Sequence, residues 1–151
     1  MTPLPHEYEV ALAGAPVGYA TISAPGFPDL TAAPPLEYDG PGDAWSPEHL
    51  LLAAVSTCFL FTLRAVARAS HAEFIDVDVR TSGTVSKAEG VIRFTDIVVR
   101  ATVTTPAEGD TEKLRRAVDK TAAHCLVSSS LAVPPRVEAT IQQAAQLKKT
   151  A

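Results

Sequence analysis

The stretch SPEHLLLAAVSTCFLFTLRAVARASH, from Ser46 to His71, constrains the fold more than any other part of this chain. It opens with helix-entry chemistry. Ser46 can cap the first turn, Pro47 fits the first helical position where its missing N–H costs nothing, and Glu48 complements the positive end of the helix. From Leu50 to Leu63 the side chains are apolar almost all the way round rather than on one stripe, which predicts a helix buried on most sides. That run stops at Arg64, short of the roughly 20 apolar residues a bilayer needs, so no membrane partner is expected. In its middle stands Cys58, one of two cysteines in the chain.

The flanks supply strands. Tyr8, Val10 and Leu12 alternate with Glu7 and Glu9, and Val17 to Ser23 follows a Gly14-Ala15-Pro16 break, so residues 1–24 read as a hairpin. Residues 25–45 carry five prolines and three glycines before Asp43, a density that predicts a long packed loop with no regular element. Beyond the helix, residues 74–105 read as a second hairpin turning at Lys87-Ala88-Glu89-Gly90. Its apolar phase slips between Phe94 and Ile97, which predicts a bulge near Thr95-Asp96. A second helix is expected over 110–125, capped by Asp110 or Thr111, with Leu114, Ala117, Val118, Thr121 and Cys125 inward. Ser128-Ser129-Ser130 and Pro134-Pro135 break the chain, and residues 136–142 form a last strand before a Gln/Lys tail expected to fray. The order is that of an α+β fold: antiparallel sheets packed with a central buried helix and a second helix, in a single domain over 1–151.

Bulk properties exclude several function classes. A formal charge of −4 leaves no concentrated basic patch, and the cluster Lys113, Arg115, Arg116 and Lys120 is offset by Glu112 and Asp119, so nucleic acid is not an expected partner. The first residues, MTPLPHEYEV, have neither the basic nor the apolar region of a secretory signal. Two cysteines 67 positions apart do not make a disulfide framework. Together these predict a soluble cytoplasmic protein. His124-Cys125 are adjacent rather than spaced as ligands, and no C-x-x-C or H-x-x-x-H occurs, so no metal and no cofactor are expected.

Cys58 shares a helix face with Leu51, Ala54, Val55, Phe61, Thr62 and Ala65. A buried free cysteine is commonly a small hydrophobe, and both thiols can be read as core filler. Both inner helix faces must pack into one small core, however, so the two thiols can also approach each other. Redox work would then require Cys58 as thiolate, groups that offset its burial, and a second thiol to resolve the sulfenic acid. A hydrolase using Cys58 with His49, His71 or His124 finds no support in their spacing.

Two motifs then converge. Trp45-Ser-Pro-Glu-His-Leu-Leu, with a cysteine ten positions after the glutamate, resembles the N-P-E-x-L…C helix of the OsmC/Ohr family of osmotically inducible and organic-hydroperoxide-resistance proteins. Ala123-His124-Cys125-Leu126-Val127-Ser128-Ser129-Ser130-Leu131 resembles its HCPVS-like second motif. The likeness runs from Trp45 to Ile141. It implies an OsmC-like fold, an intertwined homodimer with active sites at the subunit interface, and a thiol-dependent peroxidase acting on organic hydroperoxides or hydrogen peroxide. It further implies Cys58 as the peroxidatic thiol, Cys125 as the resolving thiol, Glu48 as the site carboxylate, and a lipoyl-type dithiol or small thiol as reductant. Helical rise puts Glu48 and Cys58 about 15 Å apart along the axis, so they cannot touch within one helix. Two departures stand out. The arginine that pairs with this glutamate in the family precedes the central helix, whereas this chain has no Arg or Lys before Arg64. Leu126 stands where the motif has proline. Arg80, Arg93 and His124 are the candidate substitutes for the arginine. The alternative function is a non-catalytic stress or small-molecule-binding protein of the same fold, whose Cys58 would have an ordinary or raised pKa.

Overall fold

The computed structural model describes residues 3–145. Two compact units divide between Leu51 and Leu52, inside the long helix.

In the N-terminal unit, strands β1 (Ala11–Gly14), β2 (Ala20–Ser23) and β3 (Leu30–Ala32) form an antiparallel sheet in that order. The predicted hairpin is present but shorter. Tyr8, Val10 and Leu12 are exposed rather than inward, and His6 to Val10 lie outside any strand. The Pro/Gly stretch departs further from expectation. It holds β3 and a 3-10 turn over Leu36–Tyr38, because the proline-free segment from Leu30 to Ala33 is long enough to pair with β2.

Helix α1 (Pro47–Ser70) begins as its sequence dictates. The His49 N–H donates to Ser46 Oγ at 3.3 Å, and the Leu50 N–H donates to the Ser46 carbonyl at 3.0 Å. Its buried residues are Val55, Phe59, Leu63 and Ala67, an i, i+4 stripe. This corrects the reading of all-round burial: a single chain covers one stripe, and Phe61 remains 58% exposed. The mean hydropathy of 2.0 in the most apolar window reaches that of a spanning segment, which the short run before Arg64 did not suggest. The buried stripe nevertheless packs in a protein core.

That core belongs to the C-terminal unit. Strands β4 (Asp76–Ala88), β5 (Val91–Thr105) and β6 (Arg136–Gln143) form the second sheet, and Val99, Ala101 and Val103 of β5 meet the α1 stripe. The β4–β5 hairpin closes through Glu89 and Gly90, both at positive φ, as a two-residue turn that matches strand twist. Thr84 pairs with Asp96 and Val85 with Phe94, so Thr95 is the extra residue of the predicted bulge. One detail departs from an all-antiparallel layout: β6 pairs parallel to β5. Parallel neighbours need a crossover, and the segment between them supplies helix α2 (Thr111–His124) for it. Asp110 caps α2 by accepting from the Lys113 N–H at 2.8 Å, and Leu114, Ala117, Val118 and Thr121 are its buried face. A helix missed in the sequence, α3 (Leu126–Ser129), follows at once. Residues 146–151 of the tail lie outside the described residues.

Candidate active site

Cys125 sits at the corner between α2 and α3, with extended backbone (φ −70°, ψ 113°) that ends one helix and caps the next. The corner is held by the Ser129 N–H, which donates to the Cys125 carbonyl at 2.9 Å, and by the Ser129 hydroxyl on the same oxygen at 2.9 Å. Cys125 is 1% exposed. Cys58, half-buried in the middle of α1, faces this corner. The Val127 N–H donates to Cys58 Sγ at 3.5 Å, linking residues 69 positions apart in sequence. Thr62, one turn further along α1, places Oγ1 3.9 Å from the same sulfur. Both cysteines are free thiols.

Their acidities separate. Burial pushes the Cys58 thiol up, but hydrogen bonds from the Cys125 thiol, the Val127 N–H, the Thr62 hydroxyl and the Leu126 N–H outweigh it, and its pKa falls below the ordinary thiol value. Cys125 moves the other way. Burial raises it, its bond to Cys58 and the charge on Cys58 raise it further, and the hydroxyl and N–H of Ser128 offset only part. The pair therefore loses its first proton at Cys58, while Cys125 keeps a proton to share with it. A thiolate beside a protonated thiol is the starting arrangement for two-cysteine redox chemistry.

The structure thus brings together two of the three residues singled out in the sequence. The third, Glu48, belongs to the N-terminal unit, at the second position of α1, where its Oε2 is buried and has no hydrogen-bond partner among the described residues. None of the three cations proposed to replace the arginine is bonded to Cys58. Arg80 pairs with Asp78 at 3.4 Å, Arg93 with Glu89 at 2.9 Å, and His124 Nδ1 donates to the Lys120 carbonyl at 2.8 Å. The groups that lower the Cys58 pKa are instead a hydroxyl, a thiol and two main-chain N–H groups. Sequence reading missed Thr62, Leu126 and Val127 in this role. Among side chains Thr62 offered a signal, as a polar residue one turn from Cys58 on its own face. No group of three or more acidic, histidine or cysteine side chains suited to a metal occurs among the described residues.

A family model described as OsmC-like protein matches residues 40–140. The uncharacterized protein YmaD of Bacillus subtilis is 29% identical over 100 residues, which span 64% of this chain and 67% of that protein. Among solved structures, an OsmC-like protein of unknown function from Vibrio cholerae superposes with a TM-score of 0.82 at 14% identity, covering 90% of this chain and all of the other. An organic hydroperoxide resistance protein OsmC from Legionella pneumophila gives 0.69 at 20% identity, covering 93% of this chain and all of that one. The organic hydroperoxide resistance protein OhrB of Bacillus subtilis gives 0.64 at 20%, covering 88% and 96%. These likenesses establish the fold.

Proposed function

Since the chain belongs to the OsmC-like protein family, we propose that it is a thiol-dependent peroxidase that reduces organic hydroperoxides or hydrogen peroxide. The observation that carries this reading is the meeting of two free thiols at one junction, where the N–H of Val127, two residues after Cys125, donates to Cys58 Sγ at 3.5 Å. The organic hydroperoxide resistance proteins among the structural neighbours point to the same substrate class.

The chemistry follows from the pair. Cys58 as thiolate attacks the terminal oxygen of the hydroperoxide; the S–O bond forms as the O–O bond breaks, and the alcohol leaves after taking up a proton. Cys58 is then a sulfenic acid. Cys125, as thiolate, attacks that sulfur, forming the disulfide and releasing water once a proton is supplied. A dithiol of the lipoyl type, or a small thiol, returns the pair to two thiols and is itself oxidised to a disulfide. No metal or cofactor enters. The reducing cytoplasm suits a cycle that starts from two free thiols.

The acting form is a homodimer in this proposal. The α1 surface away from the buried stripe, with Phe61 58% exposed, gains a cover in a second copy. The same step offers the unpartnered Glu48 Oε2 a donor, and Glu48 serves as the site carboxylate. The alternative, a non-catalytic binding protein, calls for an ordinary or raised Cys58 pKa; the donors gathered on Cys58 Sγ from Val127 and Thr62 favour the redox reading.

The test is peroxide consumption by purified protein with a dithiol reductant. Turnover is expected in the wild type and none in Cys58→Ser. Full turnover in Cys58→Ser would overturn the proposal.

A further inference from the structure

We propose that Thr62 and the main-chain N–H groups of Leu126 and Val127 are the positioning groups that hold the Cys58 sulfur as a thiolate, in the place of a basic side chain. This rests on the redox reading of Cys58 given above.

Geometry carries the argument. The Val127 N–H lies 3.5 Å from Cys58 Sγ, and Thr62 Oγ1, one helical turn along the same face of α1, lies 3.9 Å from it. The adjacent Leu126 N–H, at the start of α3, lowers the Cys58 pKa by less than either. Sulfur carrying a negative charge is large and diffuse, so several moderate donors can hold it where one cation is absent. Arg64 lies over the Phe61 ring, 5.4 Å from its centroid, and His124 Nδ1 is bonded to the Lys120 carbonyl. From α1 and from the α2–α3 corner, the titratable group that meets Cys58 is Cys125, whose effect acts in the same direction as the donors.

Position 126 has a property that follows from the backbone. Leu126 is the first residue of α3, and the preceding Cys125 is extended at ψ 113°. Both conditions suit proline, which at the first helical position sacrifices no intrahelical bond. The Leu126 side chain is 72% exposed. What the residue supplies to the sulfur is therefore its N–H, so an imino acid here would remove one of the weaker donors to Cys58.

The experiment titrates the alkylation rate of Cys58 by iodoacetamide against pH, with the Cys58 and Cys125 peptides resolved by mass spectrometry. Wild type, Leu126→Pro, Leu126→Ala, Thr62→Val and Thr62→Ser are compared, each with a thermal melt as folding control. Leu126→Pro is expected to move the midpoint upward and slow alkylation at neutral pH by about twofold. Leu126→Ala, which keeps the N–H, is expected to titrate as wild type. Thr62→Val should slow alkylation by about threefold, with Thr62→Ser restoring it. A wild-type midpoint in both Leu126→Pro and Thr62→Val, or an equal shift in Leu126→Ala and Leu126→Pro, would overturn the proposal. Should Leu126→Pro not fold, the Thr62→Val and Thr62→Ser pair decides. Alkylation needs no peroxide, so shifted midpoints without peroxide turnover would sink the redox reading alone. Turnover with unshifted midpoints would sink only this inference.

Discussion

The start and the middle of α1 treat negative charge in opposite ways. At the start, Glu48 has a buried carboxyl oxygen with no donor among the described residues, in a unit whose chain offers no Arg or Lys. In the middle, Cys58 has donors from Cys125, Val127, Thr62 and Leu126, enough to outweigh the cost of its burial. One helix thus carries an acidic group left without a donor and an acidic group well supplied with them. A sulfur can be kept ionised by hydrogen bonds built into a helix corner, whereas a carboxylate of this kind waits for a partner. Cys58 thus finds its donors within the single chain, whereas the role proposed for Glu48 depends on the proposed homodimer.

Four outcomes break or sharpen this contrast. The largest effect belongs to Cys58→Ser, which removes the nucleophile; steady-state peroxide consumption should drop by more than about a hundredfold in a coupled dithiol assay. Cys125→Ser should allow a single oxidation and then stall. Mass spectrometry should find Cys58 carried on to the sulfinic state under excess peroxide, because no second thiol captures the sulfenic acid. Glu48→Gln should lower kcat/KM by about tenfold while leaving the Cys58 alkylation midpoint in place; a shift of that midpoint would mean the two regions are not independent. The smallest effect is that of salt. Raising ionic strength from about 0.05 to about 0.5 M should change Cys58 alkylation at neutral pH by less than about twofold, since short-range donors are little screened; a steep loss would reveal a cation.

The pH dependence has a definite sign. Only the thiolate reacts, so the alkylation rate of Cys58 rises with pH through its pKa. With that pKa lowered, reactivity persists to lower pH than for an ordinary thiol and is lost as pH falls through the lowered value. Cys125, shifted upward, should label later in the same titration.

What sequence reading reached and missed divides along a physical line. Features carried by side-chain chemistry were legible. Ser46 caps α1, Asp110 caps α2, the phase slip marks the bulge at Thr95, and the two cysteine motifs point to one junction. Features carried by the backbone were not. Alternating apolar residues say which face of β6 is inward but nothing about its direction, so its parallel pairing to β5 was hidden. Helix α3 is one turn long and rich in serine, too short for a period to emerge. The search for a substitute arginine failed for the same reason: main-chain N–H groups occur at every residue but proline and leave no mark in composition. Leu126, read as a departure from a motif, is the one position where that donor could have been noticed. The extent of α1 burial was misread because a helix apolar all round does not say which of its faces its own chain covers.

The central claim is that Cys58 and Cys125 form one redox unit. Treating the reduced protein with one equivalent of an organic hydroperoxide, then mapping its peptides without reductant, tests it most directly. The account predicts a Cys58–Cys125 disulfide within each chain, reversed by a dithiol. Recovery of both cysteines as free thiols, or of Cys58 oxidised beyond the sulfenic state with Cys125 untouched, would contradict it.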